Sequence, residues 1–216
     1  MKIKVDHLTK VYQTEYALND ISCSFASQQI HGIVGRNGSG KSVLLRCLCG
    51  YTKPTSGTVT IDGKTLGKDI PFPSNMGLLL DTPLFLSRFS GYENLMLLMG
   101  INKRAKEEKE RLVREALEKV GMTEQQNKKV SKYSLGMRQR LGLAQALMEQ
   151  PSLLILDEPF NGLDRDGVKH IRDLLRNLRD NGVTILLTSH YPEDLAELCE
   201  TLTCLDGGKI IRQENV

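Results

Sequence analysis

Tryptophan is absent from this 216-residue sequence, and aromatic residues make up only 5% of it. The net charge of +3 comes from 29 basic and 26 acidic residues spread along the chain without a long block of one sign. Such a chain offers neither the aromatic platforms nor the basic stripe that hold nucleic acids, so no nucleic-acid partner is expected. Long hydrophobic runs are missing as well. The longest, Leu95 to Ile101, contains a glycine and falls far short of the roughly 20 residues needed to cross a bilayer. At the start, Lys2 and Lys4 are followed by alternation rather than an apolar segment, so no secretory signal is expected and any membrane role must come from a partner. The five cysteines form no C-x-x-C pair. They fit neither a disulfide framework nor a zinc site and are expected to be reduced, buried small hydrophobes in a cytoplasmic protein. Internal repeats and low-complexity segments are also lacking.

What is present is an ordinary globular composition, 40% hydrophobic and 25% charged, in a length that suits one compact domain over residues 1–216. The first sixty residues alternate: Ile3 and Val5, then Ile21, Cys23 and Phe25, then Val59 and Ile61 after a Pro54 to Gly57 turn, as antiparallel strands do. Three later runs, Ile30 to Val34, Leu153 to Leu156 and Val183 to Thr188, are continuously apolar, the mark of parallel strands buried on both faces. Between them, Leu84 to Gln150 has a helical period, clearest over Lys103 to Val120 and stopped by Gly121. Further helices are predicted from about Ser134 to Glu149 and from Arg165 to about Asp180. The expected class is α/β: a mostly parallel core sheet, an antiparallel N-terminal β subdomain and an inserted helical subdomain over about 84–150.

Chemistry enters after the Ile30 to Val34 strand. Gly35-Arg36-Asn37-Gly38-Ser39-Gly40-Lys41-Ser42 fits G-x-x-x-x-G-K-S and precedes a helical pattern, Val43 to Cys49. Glycines let backbone N–H groups wrap phosphates at a helix N-terminus, Lys41 reaches the β and γ phosphates, and the Ser42 hydroxyl can coordinate Mg²⁺. On average residue usage such a match arises by chance in on the order of one chain in a hundred of this length, so further motifs must decide. One is Asp157-Glu158 at the end of an apolar strand. Adjacent carboxylates there are costly to desolvate unless a cation or a proton transfer uses them, which assigns Asp157 to Mg²⁺ and Glu158 to the attacking water. Another is His190, after the Val183 to Ser189 strand, at the carboxyl end where open α/β sheets bind ligands.

These residues resemble the nucleotide-binding domain of ABC transporters over nearly the whole chain. The decisive segment is Tyr133-Ser134-Leu135-Gly136-Met137-Arg138-Gln139-Arg140, about twenty residues before Asp157-Glu158, which is similar to the family's LSGGQ signature and its following basic helix. The resemblance implies that Tyr12 stacks on adenine, that Asn161-Gly162-Leu163-Asp164 is the D-loop, that His190 is the switch histidine, and that Asp206 to Ile210 forms a C-terminal hairpin. It also implies a composite ATPase. ATP and Mg²⁺ held by Gly35, Asn37, Gly38, Ser39, Gly40, Lys41 and Ser42 of one domain would be covered by Ser134 and Gly136 of a second such domain, most simply another copy of this chain.

Two positions depart from the family pattern. Asp81 stands where the family has its Q-loop glutamine, an acid in place of an amide among the expected metal ligands, and Leu135 and Met137 replace the usual Gly and Gln of the signature. Together they resemble the bacitracin and lantibiotic-resistance group of bacterial exporters, whose ATPase chains pair with separate transmembrane permease subunits on the cytoplasmic face of the cell membrane. The implied activity is ATP hydrolysis powering export of peptide antibiotics, lantibiotics or other small molecules. A soluble ABC ATPase driving a non-transport assembly is the other class the phosphate chemistry allows. The apolar Pro83-Leu84-Phe85-Leu86, within Asp81 to Phe89, is the expected docking place for a permease helix.

Overall fold

The structure, a computed structural model, describes residues 1–81, 84–189 and 195–216. Two sheets carry it. β1 (Ile3–Tyr12), β2 (Glu15–Phe25), β4 (Ser56–Ile61) and the short β5 (Lys64–Thr65) form an antiparallel sheet in the order β2-β1-β4-β5. Its register sets Ile3 opposite both Phe25 and Ile61, and Val5 opposite both Cys23 and Val59. The alternating apolar residues thus share one face, as a period of two requires.

The second sheet contains β3 (Ile30–Val34), β6 (Met76–Leu79), β7 (Leu153–Leu156), β8 (Thr184–Ser189), β9 (Thr201–Asp206) and β10 (Lys209–Asn215), in the order β10-β9-β3-β8-β7-β6. Every pairing in it is parallel except the terminal β9-β10 hairpin. The continuous apolar runs divide by parity. Leu154, Leu156, Ile185 and Leu187 pack into a core with the helices on one side, whereas Leu153, Ile155 and Leu186 pack with the antiparallel sheet and α1 (Lys41–Leu48) on the other. A strand covered on both faces has no polar side to show, which is why these segments do not alternate.

On the first side lie α2 (Gly91–Met99), α3 (Lys106–Lys119), α4 (Leu135–Leu147) and α5 (Arg165–Asp180). α5 keeps the limits expected of it, between an Asp164 cap that accepts from the Gly167 N–H and the Asn181-Gly182 turn. The expected helical period from Leu84 holds only from Gly91 onward. Residues 84–90 form no helix, because Asn94, 4% exposed, fastens Leu86 to α2 through its side-chain amide. Its Oδ1 accepts from the Leu86 N–H at 2.8 Å, and its Nδ2 donates to the Leu86 and Ser90 carbonyls at 3.1 and 2.8 Å. A capping box between Ser90 and Glu93 then opens α2. The five cysteines are free and four are buried, with burial pushing the Cys23 and Cys199 thiols up to about 12.

His31, on the central strand β3, is fully buried. Its Nε2 lies 2.8 Å from the Ala26 carbonyl, which can only accept, so Nε2 carries the proton and Nδ1 accepts from the Thr201 hydroxyl at 2.7 Å. Burial lowers its pKa from the ordinary 6.5, outweighing the bond to Ala26. The unfolded chain therefore binds a proton that the folded chain refuses, and stability should fall as pH drops below about 6.5, by at most about 1.4 kcal/mol per pH unit. Urea unfolding of the unsubstituted chain and of His31→Gln between pH 7.5 and 5 checks this. The substituted chain should show a flatter profile, and identical slopes would remove His31 as the cause.

Candidate nucleotide-binding site

The strand order β3-β8-β7 decides which side chains meet. β3 ends in the glycine-rich segment, β7 ends in the two acids, and β8 runs between them with Ile33 level with Thr188 and Leu156 level with Leu187. All three are parallel, so their carboxyl ends open on one edge, where such sheets bind ligands.

After Val34 the chain turns through Gly40, at φ 104°, into α1. A Cβ at Gly40 would stand 2.6 Å from the Ala17 carbonyl oxygen, so both the backbone angle and the close approach of β2 demand glycine. The loop curls over a cavity of about 260 Å³ lined by Ala17, Asn37, Gly38, Ser39, Gly40, Lys41, Ser42, Asp157 and Glu158 among others. Lys41 is 7% exposed, and its amine donates to the Gly35 carbonyl at 2.7 Å and the Arg36 carbonyl at 3.3 Å, with Glu158 Oε1 at 4.0 Å. A cationic amine, a helix N-terminus and loop N–H groups lie around that space, which suits a chain of phosphates.

Asp157 and Glu158 are held by different means. The Thr188 hydroxyl, fully buried, donates to Asp157 Oδ1 at 2.5 Å and accepts from the Glu158 N–H at 2.9 Å. Gln139 of α4, 7% exposed, donates through its side chain to the Glu158 carbonyl at 2.9 Å. Glu158 itself sits at φ 49°, a left-handed conformation uncommon outside glycine. Neither Thr188 nor Gln139 was expected from the sequence to matter here. Gln139 stands in the quoted signature segment, five residues after Ser134, and that spacing was the only available signal.

A second cavity, of about 400 Å³, continues past Asp157 and Glu158 and is lined also by Asp81, Leu135, Gln139, Asn161 and Gly162. Asp81 thus faces the same space as the acid pair. Its carboxylate, however, accepts from the Arg46 guanidinium at 2.7 and 2.6 Å, so part of its negative charge is already met by a cation. That hydrogen bond is the main cause of the raised Arg46 pKa, with desolvation opposing it and Tyr12 and Asp157 adding smaller electrostatic contributions. Tyr12 lies at the end of β1, 46% exposed, with the Lys10 amine 4.9 Å from its ring centroid. It does not line the phosphate cavity.

Ser134 and Gly136 stand apart from the phosphate loop. Ser134 caps α4 by accepting from the Met137 N–H at 3.2 Å, and with Gly136, Arg140, Leu163 and Asp164 it lines a third cavity of about 320 Å³. A Cβ at Gly136 would approach the Gly162 carbonyl oxygen to 2.5 Å, so only glycine lets α4 pack this closely on the 161–164 segment. His190 lies outside the described residues.

No group of three or more His, Cys, Asp or Glu among the described residues could cage a metal. A hydroxyl at Ser42 and a carboxylate at Asp157 beside a phosphate cavity fit a hard cation that keeps waters and takes its remaining ligands from the phosphates, as Mg²⁺ does.

The comparisons agree with this arrangement. The sequence model of the ABC transporter family matches residues 18–161. YybJ of Bacillus subtilis (strain 168), an uncharacterized ABC transporter ATP-binding protein, is 40% identical over 99% of this chain and 97% of its own length. The bacitracin transport ATP-binding protein BcrA of Enterococcus faecalis is 37% identical over 99% of this chain and 69% of its own. The dimeric structure of MJ0796, a bacterial ABC transporter cassette, superposes with a TM-score of 0.89 at 26% identity, covering 99% of this chain and 98% of that one. With the family model matched over two thirds of its residues and a relative 40% identical along almost its whole length, the chain belongs to the ABC transporter family.

Proposed function

We propose that this chain is the ATP-hydrolysing subunit of a membrane exporter and that it works in pairs on the cytoplasmic face of the membrane, exporting peptide antibiotics, lantibiotics or other small molecules. The observation that carries the reading is the separation of two half-sites within one chain. The phosphate loop lines one cavity, while Ser134 and Gly136 line another that shares no residue with it. A single copy leaves the phosphates open to water on one side, and a second copy turned about a two-fold axis brings the α4 N-terminus over them. The similarity to a dimeric cassette supports that pairing.

In this reading Asn37, Gly38, Ser39, Gly40, Lys41 and Ser42 bind the phosphates, Tyr12 stacks on the base, and Ser134 and Gly136 of the second copy complete the enclosure. Ser42 and Asp157 would hold Mg²⁺, with Asp81 near them. When bound, that ion would neutralise phosphate charge. Glu158 accepts the proton of the attacking water, and His190 is assigned to the γ-phosphate. Hydrolysis removes the shared ligand and lets the pair part.

Export requires a membrane partner, because no helix among the described residues is long and apolar enough to cross a membrane. Support for one comes from exposed apolar side chains: Leu84 at 97% and Leu86 in the loop after Asp81, then Leu97, Leu98 and Ile101 at 88% along and just past α2. Asn94 joins the two groups by fastening the loop to the helix. The likeness to BcrA supports a peptide antibiotic as cargo. Detergent purification of the tagged full chain from its own cells should recover a subunit with several membrane-spanning helices. The double substitution Leu84→Glu, Leu97→Glu should release the chain from that subunit while calorimetry still records ATP binding. Recovery of the unsubstituted chain without any membrane subunit would overturn the exporter reading.

A further inference from the structure

We infer that Thr188 and Gln139 are positioning residues for hydrolysis, which together hold the Glu158 backbone in its left-handed conformation and so aim its carboxylate, without contributing to ATP affinity. The inference rests on the reading of Glu158 as the base. It adds two residues outside the phosphate-binding set.

The geometry is directional. A threonine hydroxyl has one proton, and that of Thr188 goes to Asp157 Oδ1, which accepts it. Its lone pair is thereby left to the Glu158 N–H. On the other side of the same residue the Glu158 carbonyl accepts from Gln139 Nε2 and, at 3.2 Å, from the Asn161 N–H. Both peptide groups flanking an unfavourable φ of 49° are therefore clamped, one by the fully buried Thr188 and the other by the nearly buried Gln139, and strain of this kind persists only where its surroundings fix it. Thr188 comes from β8 and Gln139 from α4. Because Ser134 caps α4, the element that would cover a nucleotide held by another copy is bonded directly to the base of its own site. A shift of α4 is thus felt at Glu158 through one hydrogen bond.

Three substitutions test this in the full chain. Thr188→Val keeps the shape and removes the hydroxyl, Gln139→Met keeps the length and removes the donor, and Thr188→Ser keeps the hydroxyl. Turnover in the first two should fall between about 10- and 100-fold, the scale of a misplaced catalytic group, with ATP affinity by calorimetry within about threefold of the unsubstituted chain. Thr188→Ser should recover most of the rate. Independently of activity, hydrogen exchange at the Glu158 amide should accelerate in Thr188→Val while the amides of β7 stay protected. Unchanged turnover in Thr188→Val and Gln139→Met, equal slowing in Thr188→Ser and Thr188→Val, affinity falling in step with rate, or loss of protection throughout β7 would each overturn the inference. If Glu158→Gln left turnover intact, the base assignment would fail instead, and the exchange measurement would still decide whether Thr188 holds that backbone.

Discussion

Glu158→Gln is expected to slow ATP hydrolysis by about 10²-fold or more while ATP still binds and the paired form accumulates. The substitution keeps the volume and both heavy-atom positions of the carboxylate but leaves an amide that cannot take a proton from water. Binding should survive because Glu158 sits beside the phosphate cavity as a negative charge, its Oε1 4.0 Å from the Lys41 amine. Removing that charge relieves repulsion toward the γ-phosphate and frees Lys41 for it. The backbone contacts that place residue 158, from Thr188 and Gln139, do not depend on the side chain and should persist. Size-exclusion chromatography with ATP and Mg²⁺ should then show a dimer that the unsubstituted chain forms only transiently, since in the proposed cycle hydrolysis is what parts the pair. Turnover equal to that of the unsubstituted chain would remove Glu158 from the role of base, and slow turnover with no dimer would separate hydrolysis from pairing.

Much of this site could be read from residue order because its parts are contiguous motifs on predictable elements. A glycine-rich loop between a buried strand and a helix, and two acids closing an apolar run, announce themselves, since each pattern is defined by its immediate neighbours. The parallel strands were legible for a related reason: burial on both faces removes alternation, and Leu153–Leu156 shows it in four residues. What sequence order could not show is pairing between segments. Arg46 and Asp81 are 35 positions apart, and nothing in either stretch says that the acid in the glutamine position carries a guanidinium. Thr188 reads as one more β-branched strand residue, and its importance arises only because β8 lies between β3 and β7. The stretch from Leu84 to Phe89 has the composition of a helix but not its structure: the buried Asn94 amide bonds both backbone groups of Leu86, and the Ser87 and Phe89 carbonyls accept from the Ser131 and Val130 N–H groups. That Ser134 and the phosphate loop line different cavities is again a fact of the folded chain, and residue order alone does not show it.

The loss of Lys41 should be the more drastic of the two changes, because it acts on binding before any chemistry. Lys41→Ala is expected to weaken ATP at least about 10²-fold in a calorimetric titration, since two charge-assisted hydrogen bonds of about 1.5–3 kcal/mol each would go. The amine is oriented by the Gly35 and Arg36 carbonyls and is 7% exposed, so little ordering is needed for it to meet phosphates. The rest of the cradle cannot compensate. Loop N–H groups and the α1 N-terminus supply partial charges, whereas a triphosphate brings several full negative charges against Asp157 and Glu158 a few ångströms away. Without the amine, those two carboxylates oppose the ligand. The fold itself should stand, because the amine's protein partners are loop carbonyls beside an open cavity that water can reach, and thermal unfolding of the substituted chain would verify this. A substituted chain that unfolds normally yet binds ATP as tightly as the unsubstituted one would show that this loop does not carry the triphosphate, and the composite site proposed here would lose its first half.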